Sequence, residues 1–286
     1  MGANHVRKEV QRYLSEDVDR RVSFIQQELW IDYKTSEAVF RIMNNMSEVP
    51  LRPNAPALLV VGPGGSGKSA IISQIPHRVK NSKGLIVVSM AESPEIYIKK
   101  TLRSELSAAL GLPSSQASGL KGAADIPNEL REVIKLRRVW GLVIDEFHDA
   151  LLRTKQEQRI NKSILKKLLS AEYGLKLFIF GTMSAKLAMQ SNEEFKRRFH
   201  EVMLGDWKED EEFRSFLLEL EESLPLRKPS CLYSEEMVSA ILSITSGRMD
   251  KTVEIIRSAA CYAIKTGVES INLDLLKKAV KNPWGY

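Results

Sequence analysis

Apolar residues follow two different patterns in the first 204 residues of the chain. Short runs in which nearly every residue is apolar are typical of strands buried on both faces, and they occupy 57–61, 84–90, 139–146 and 176–182. Helices are predicted after the glycine-rich loop at 62–69 and over 94–110, 127–138 and 157–172. This alternation predicts an α/β fold in which helices cover both faces of a parallel sheet.

The remaining parts of the chain are patterned as helices. Residues 5–30 carry apolar positions at helical spacing, and a second helix is predicted after the WIDY stretch at 30–33. After residue 205 no strand is indicated, and helical segments lie near 209–223, 234–246, 249–266 and 272–280. We therefore predict an N-terminal helical extension over 1–50, an α/β core over 51–204 and a small all-helical domain over 205–286.

Charge is distributed unevenly along the chain, whose formal net charge is +6. Residues 51–204 contain 24 Lys and Arg against 14 Asp and Glu, while both flanking regions carry a small acidic excess. A basic central region favours a polyanionic partner in addition to a bound nucleotide, because clustered cations attract anions. Ordinary solvated helix faces would give the same composition, so charge alone leaves both interpretations open.

Composition favours a soluble, reduced protein. With 43% hydrophobic and 27% charged residues, the 286-residue chain has ample material for a core. It has no apolar run of the about 18 residues that a membrane helix needs, and its first residues are too polar for a signal peptide. Its two cysteines, Cys231 and Cys261, lack the spacing of metal ligands. We expect a cytoplasmic protein without membrane association.

The residues after the first predicted strand form a phosphate-binding motif. The sequence GPGGSGKS fits the P-loop pattern G-x-x-x-x-G-K-[ST] between a strand and a helix. Glycines allow successive backbone N–H groups to surround phosphate oxygens, and the positive end of the next helix points to the same place. We expect Lys68 to bridge the β- and γ-phosphates and the Ser69 hydroxyl to bind Mg²⁺. The predicted nucleotide-binding residues are Gly62, Pro63, Gly64, Gly65, Ser66, Gly67, Lys68 and Ser69.

Two further predicted strands end in polar residues that suit the same site. Asp145 and Glu146 directly follow the apolar run VWGLVI. We expect Asp145 to hold Mg²⁺ through its water shell and Glu146 to orient and polarise the attacking water. Thr182 ends the next strand, where it would contact the γ-phosphate or that water, although a simple strand-ending turn stays open. A kinase acting on a small molecule is a weaker alternative, because no substrate-pocket motif accompanies these residues.

A P-loop, an acid pair, a polar strand end and a helical domain together resemble an AAA+ ATPase. Three more stretches resemble the TniB/TnsC family of transposition ATPases, namely WIDY, EEFKRRF at 193–199 and SGRMDKTVEIIRSAA at 246–260. The resemblance extends over nearly the whole chain. The sequence departs from the family pattern at Ser69, where Thr is common, and at Phe147 and His148, where a small residue and an acid are common. Ser69 preserves the hydroxyl, and His148 is assigned no chemical role.

The resemblance implies roles for arginines. Arg198 is implied to reach the γ-phosphate bound by a neighbouring subunit, with Arg197 as the second candidate. A planar cation supplied in this way stabilises developing charge and makes hydrolysis depend on assembly. Arg248 is similar to the arginine with which the family's helical domain closes on the nucleotide of its own subunit. The alternatives are a basic helix face for the first pair and a surface position at a helix start for Arg248.

The resemblance also implies that the polyanion is DNA. The protein is expected to form a homo-oligomeric ring or helical filament around duplex DNA and to contact its phosphates without sequence preference. No recognition-helix or finger motif for reading bases is present in the sequence. The candidate DNA contacts are Lys99, Lys100, Arg103 and Lys121. Each of these taken alone is equally consistent with solvated surface.

The implied function is that of an ATP-dependent regulator of transposition in the bacterial cytoplasm. With ATP and Mg²⁺ it would polymerise on DNA, connect a TniQ-like target-selection protein to the transposase, and disassemble on hydrolysis. Trp30, Ile31 and Tyr33 would either flank the adenine or pack in the core. Two other functions stay open. One is a helicase or clamp loader, and the other is a non-hydrolysing nucleotide-binding scaffold, against which Glu146 argues.

Overall fold

A computed structural model of the chain describes residues 5–27, 29–50, 52, 54–91, 101–112, 128–147, 149, 154–190 and 193–286. The chain forms two compact units. The first comprises Met1–Lys34, Gly65–Gly67 and Gly205–Tyr286, and the second comprises Thr35–Gly64 and Lys68–Leu204. The predicted N-terminal extension is therefore divided between the two units.

The second unit contains a five-stranded sheet. Its strands are β1 (Ala57–Val61), β2 (Leu85–Ser89), β3 (Gly141–Asp145), β4 (Lys176–Gly181) and β5 (Phe199–Met203). The order across the sheet is β2-β3-β4-β1-β5, and every ladder is parallel. All residues of β1 and β4 are buried, as expected of central strands covered on both faces. We call the side where the strands begin the amino edge and the side where they end the carboxyl edge.

Helices occur in both units. The first unit contains α1 (Lys8–Gln11), α2 (Val18–Gln26), α10 (Glu211–Glu222), α11 (Glu235–Thr245), α12 (Met249–Thr266) and α13 (Leu273–Lys281). Apart from Lys34, the second contains α3 (Lys34–Ser47), α4 (Lys68–Arg78), α5 (Leu102–Ala109), α6 (Asn128–Leu136), α7 (Lys155–Leu169), α8 (Met183–Gln190) and α9 (Glu193–Arg198). Thr101 and Thr154 form capping boxes that begin α5 and α7. None of the described helices is long and apolar enough to cross a membrane.

Each unit has a hydrophobic core of its own. In the second unit, fully buried side chains of the central strands, such as Leu59 and Ile179, pack with residues of the surrounding helices. In the first unit, α10 and α12 contribute buried residues such as Phe213 and Ala259. The clustered buried residues of each core belong to one unit, so each unit has a packed interior of its own.

A buried ion pair fastens α2 within the first unit. Arg21 is 1% exposed and pairs with Glu269 through both carboxylate oxygens, with Nη1 to Oε1 at 2.9 Å. Its Nε also donates to the Pro225 carbonyl at 3.1 Å. Arg257 on α12 donates to the Ile25 carbonyl at 2.7 Å, near the end of α2. The helix α2 is therefore an integral part of the first unit.

The structure corrects several sequence-based expectations. The strand β5 was not predicted, since its sequence FHEVM lacks a continuous apolar run and it pairs only with β1 at the sheet edge. β2 was expected to be buried throughout, but Val87 is 48% exposed because β2 is the outermost strand on the side of the sheet away from β5. The helix predicted over 5–30 is interrupted, and α2 begins after Asp17, which caps the Arg20 N–H at 2.8 Å. Much of the predicted 94–110 helix and 111–125 loop lies outside the described residues.

Candidate nucleotide-binding site

The glycine-rich loop connects β1 to α4 at the carboxyl edge of the sheet. Gly62 donates its backbone N–H to the Gly181 carbonyl at 3.1 Å, and α4 begins at Lys68. Gly65 and Gly67 have φ angles of +76° and +89°, which residues with a Cβ rarely adopt. Ser66 Oγ is buried and has no hydrogen-bond partner within the described part of the chain. A loop of this kind before a helix N-terminus suits a phosphate group, which would give that hydroxyl an acceptor.

Lys68 is held at the start of α4 with its amine directed back at the loop. Its Nζ donates to the carbonyls of Gly62 at 2.9 Å and Pro63 at 2.8 Å, and the residue is 4% exposed. Burial lowers the pKa of Lys68, although the nearby charges of Glu146 and Asp145 oppose that change. The loop thus holds a buried ammonium group beside two carboxylates, an arrangement into which an anionic oxygen fits electrostatically.

The structure joins the P-loop to the acid pair through one hydrogen bond. Ser69 Oγ donates to Asp145 Oδ2 at 3.2 Å. A hydroxyl and a carboxylate in contact are the protein oxygens that Mg²⁺ uses beside nucleotide phosphates, with water completing the coordination. No cluster of three or more His, Cys, Asp or Glu that could hold a metal occurs among the described residues. The donor set therefore fits a nucleotide-associated Mg²⁺ and does not provide an all-protein metal cage.

Glu146 adopts an uncommon backbone conformation that its neighbours maintain. Its φ is +51°, and its N–H donates to Asp145 Oδ1 at 2.9 Å. The next residue, Phe147, is fully buried and donates its N–H to the Phe180 carbonyl at 3.1 Å. The bulky residue that departs from the family pattern thus anchors the end of β3 in the core. His148 lies outside the described residues.

Thr182 lies directly after β4, which pairs with both β1 and β3. Its Oγ1 is 2.8 Å from Ser184 Oγ, and its carbonyl accepts the N–H of Ala185 at 3.0 Å. Because the carboxyl ends of adjacent parallel strands lie side by side, Thr182 follows the strand between those that carry the P-loop and the acid pair. The three sequence motifs therefore meet at one edge of the sheet.

Arg197 and Arg198 lie at the amino edge of the sheet, opposite the P-loop. They end α9, and the next residue, Phe199, pairs with Ala57 at the start of β1. The P-loop follows the other end of β1, so Arg198 is separated from it along the sheet by a five-residue strand, or roughly 15 Å. Arg197 is exposed and Arg198 half-buried. The structure does not bring either arginine to the phosphate-binding loop of its own chain.

Arg248 precedes α12 in the first unit and is paired with an acid that the sequence-based assignment overlooked. Its Nη2 and Nε donate to the Asp250 carboxylate at 2.9 and 3.2 Å, and this bonding lowers the pKa of Asp250. The Asp250 N–H donates to the Gly65 carbonyl at 3.1 Å. A Cβ placed on Gly65 would lie 2.1 Å from Asp250 Oδ2 and 2.7 Å from Arg248 Nη2. The position of Asp250 two residues after Arg248 in GRMD was the available signal.

Ile31 and Tyr33 of WIDY pack in the protein core, which is one of the two roles expected for them. Ile31 is 6% exposed, and the Tyr33 ring meets those of Trp207 and Phe216 edge-on at 5.6 and 6.3 Å. Burial raises the pKa of Tyr33. Trp30 Nε1 donates to Asp32 at 2.8 Å. These contacts belong to the core of the first unit, and no contact with an adenine is needed to explain them.

The expected DNA contacts are only partly placed. Lys99, Lys100 and Lys121 lie outside the described residues. Arg103 was expected on the surface, but it is 9% exposed, and its Nε and Nη2 have no hydrogen-bond partner among the described residues. It lies beside Leu102 on the buried side of α5. Arg103 is therefore buried in this conformation and not at the surface as expected, and its contact with DNA stays a prediction.

A comparison with protein families identifies one that covers most of the chain. The model described as bacterial TniB protein matches residues 21–209. No curated protein sequence matches significantly.

Solved structures share the fold at low sequence identity. The ORC2 protein of Aeropyrum pernix, in ADPNP–ADP complexes, is 17% identical, with a TM-score of 0.59 over 94% of this chain and 72% of that one. Drosophila ORC bound to DNA is 12% identical, with a TM-score of 0.57 over 93% and 66%. The Walker-type ATPase PABY2304 of Pyrococcus abyssi is 13% identical, with a TM-score of 0.57 over 90% and 75%. The predicted AAA+ fold, a parallel sheet with a C-terminal helical region, is confirmed.

Proposed function

Because the chain belongs to the bacterial TniB protein family, we propose that it is an ATP-dependent, DNA-associated ATPase that regulates transposition. The observation that carries this proposal is the contact of Ser69 with Asp145, which joins the P-loop to the acid pair at one edge of the sheet. Proteins of the same fold support a nucleotide and DNA as ligands, since one was solved with ADPNP and ADP and another on DNA.

The P-loop would bind the phosphates of ATP. Its backbone N–H groups and the N-terminus of α4 would face the phosphate oxygens. Lys68 Nζ, which donates to the carbonyls of Gly62 and Pro63, would exchange these bonds for charge-assisted bonds to the β- and γ-phosphates. Ser69 and Asp145 would hold Mg²⁺, which neutralises negative charge on the phosphates when bound.

Glu146, the acidic residue after β3, would activate the water that hydrolyses ATP. Glu146 would accept a hydrogen bond from the attacking water and hold that water in line with the γ-phosphate. Thr182, at the end of the adjacent strand, would contact the same water or the γ-phosphate. The bond from the Glu146 N–H to Asp145 Oδ1 fixes the backbone of the catalytic acid to the metal-binding carboxylate.

The position of Arg198 supports a pocket that is completed by another copy of the chain. Arg198 lies at the amino edge, away from its own P-loop, so it would stabilise the transition state of a neighbouring subunit. ATP hydrolysis would then depend on assembly. We further propose a ring or helical filament on duplex DNA that connects a TniQ-like protein to the transposase and disassembles on hydrolysis. Family membership and the basic central region support this.

Arg248 would sense the nucleotide from the helical unit of the same chain. Its guanidinium is bound by Asp250 close to Gly65. A phosphate at the loop would compete with the Asp250 carboxylate for this guanidinium, because both are anionic acceptors suited to a bidentate arginine. Asp250 would thereby hold Arg248 in position between rounds of nucleotide binding.

Phosphate release with and without random-sequence duplex DNA tests the proposal. The wild type should hydrolyse ATP and do so faster on DNA. Glu146→Gln should bind ATP but lose turnover by about 10²-fold or more. The control Glu236→Gln, at an exposed position of α11, should keep the wild-type rate. Unchanged turnover in Glu146→Gln would remove its role in activating water.

Electron microscopy of the protein on DNA with ADPNP tests the assembly. Rings or filaments are expected. A protein that stays monomeric on DNA under these conditions would refute the proposed mode of action. Co-purification with a replicative helicase, with no transposase present, would favour the helicase or clamp-loader alternative.

A further inference from the structure

A cluster of cations lies at the amino edge of the sheet in the second unit, opposite the P-loop. Lys83 comes two residues before β2, Arg138 comes three residues before β3, and Lys176 begins β4. Backbone hydrogen bonds join these segments, because the Trp140 N–H donates to the Gly84 carbonyl at 2.9 Å and the Lys176 N–H donates to the Trp140 carbonyl at 3.0 Å. With the residues next to them we define the amino-edge patch as Arg52, Lys83, Arg137, Arg138 and Lys176.

No carboxylate among the described residues pairs with any cation of the amino-edge patch. The acids of the same segments are engaged elsewhere, in the pairs Glu48–Lys80 at 3.2 Å, Glu132–Lys135 at 3.3 Å and Glu172–Arg131 at 3.5 Å. All patch residues except Lys176 are exposed. The patch therefore presents positive charge that the described part of the molecule leaves uncompensated, and the attraction between charges of opposite sign favours an external anion there.

Repulsion within the patch adds to this argument. Lys176 is 6% exposed, and its burial and the charge of Arg52 both lower its pKa. Arg137 and Arg138 follow the C-terminus of α6, where cations are favoured by the helix dipole. That explanation does not extend to Arg52 or Lys176, which follow no helix C-terminus directly, and Lys83 lies within a single 3-10 turn, Ser82–Gly84. A bound anion would relieve the repulsion between Lys176 and Arg52.

We propose that the amino-edge patch binds the phosphodiester backbone of duplex DNA. Evenly spaced phosphates match a group of guanidinium and ammonium side chains that lacks carboxylates, and arginine binds phosphate in bidentate geometry. The contacts are independent of base sequence. The inference rests on DNA as the partner in the proposed function and adds a second contact surface that does not require nucleotide. It also gives part of the basic excess of residues 51–204 a location on the fold.

The double variant Arg137→Ala/Arg138→Gly tests the patch. Both side chains are exposed, and Arg138 has a φ of +51°, which glycine adopts readily, so the fold should be retained. The matched control Lys277→Ala/Lys281→Ala removes the same charge from exposed positions of α13 in the first unit. Affinity for a short random-sequence duplex is measured by fluorescence anisotropy without nucleotide over a series of salt concentrations.

The patch variant should bind roughly tenfold more weakly than wild type, and its slope of log affinity against log salt should be smaller by about 2, or about 0.9 for each lost phosphate contact. The control should keep the wild-type slope. If thermal melting shows that the first variant is unfolded, Lys83→Gln/Arg137→Gln, at exposed positions, should show the same loss.

Equal losses in the patch and control variants would overturn the inference, because net charge alone would then explain them. Absence of nucleotide-free binding by the wild type at low salt would overturn it too, and would leave the ATP-dependent binding of the proposed function intact. Failure of ADPNP to increase DNA binding would count against the proposed function only. Normal DNA binding with lost assembly in the patch variant would show that the patch contacts protein, and the inference would be wrong.

Discussion

Replacing the buried Arg21 with methionine is expected to destabilise the first unit by about 3–5 kcal/mol. Methionine keeps an unbranched apolar stem but removes the hydrogen bonds from the guanidinium to Glu269 and to the Pro225 carbonyl. Among the described residues, the Glu269 side chain, 10% exposed, then keeps the Arg227 N–H at 3.3 Å and the Arg227 side chain at 3.5 Å as its remaining partners. Most of the cost arises because a buried carboxylate loses its main partner.

The pH dependence of this loss gives an independent check. Burial by itself would raise the pKa of Glu269, but the hydrogen bonds and charge of Arg21 outweigh it and hold that pKa below its usual value. Because the folded pKa is depressed, the pair contributes stability above the ordinary Glu pKa of about 4.3 and loses it as pH falls through the folded pKa. The difference between wild type and Arg21→Met should therefore shrink from about pH 7 to about pH 4.

Urea unfolding followed by circular dichroism measures both effects. Wild type, Arg21→Met, Glu269→Gln and the double variant form a cycle that isolates the coupling between the two side chains. The control is Arg20→Met, whose side chain is 70% exposed and pairs with Glu16 on the surface, and which should change stability little. A loss in Arg21→Met no larger than in this control, or one that is constant with pH, would refute the reasoning.

Three further changes follow from the site and its supports. Gly65→Ala should weaken ADPNP binding in calorimetry, because alanine rarely adopts a φ of +76° and its Cβ would displace the Asp250 carboxylate oxygen 2.1 Å away, whereas Gly64→Ala, with open space around its Cβ, should bind like the wild type; equal affinities would contradict this. Phe147→Ala should lower the free energy of unfolding by about 3–5 kcal/mol through a cavity under the acid pair, and a loss below about 1 kcal/mol in urea titrations would show that the site closes around the gap. Arg198→Ala should keep ADPNP binding but lose hydrolysis and stable assembly, and normal turnover would transfer the role to Arg197 or to neither residue.

The central strands could be predicted because burial on both faces leaves a continuous apolar run. β5 could not be predicted, because its residues at the side of the sheet are exposed or only partly buried and leave no continuous apolar run. Its pairing with β1 joins segments that are far apart in the sequence, which no local pattern indicates. The same limit applies to β2, where exposure of Val87 depends on which strand lacks a second neighbour. Local pattern thus indicates which segments are strands but not the order in which they are arranged.

The candidate site divides in the same way. The proximity of the P-loop and the acid pair could be predicted, because each directly follows a buried parallel strand, and the Ser69–Asp145 contact brings them together. The burial of Arg103 could not be predicted. Its charge indicated a surface position, whereas α5 buries it together with Leu102, Leu106 and Ser107. Asp250 was missed because an acid two residues from an arginine becomes its partner only through the geometry of a particular helix start.

The location of Arg198 has a consequence for the ends of an assembly. If it acts on a neighbour, donor and acceptor lie at opposite edges of one sheet, so every contact joins unlike surfaces and a row of subunits has a direction. In an open row, the subunit at one end holds nucleotide that no arginine reaches, and the subunit at the other end offers an arginine with no nucleotide to reach. Turnover would spare one terminal subunit, so loss of subunits would proceed with a polarity set by the common direction of the parallel strands.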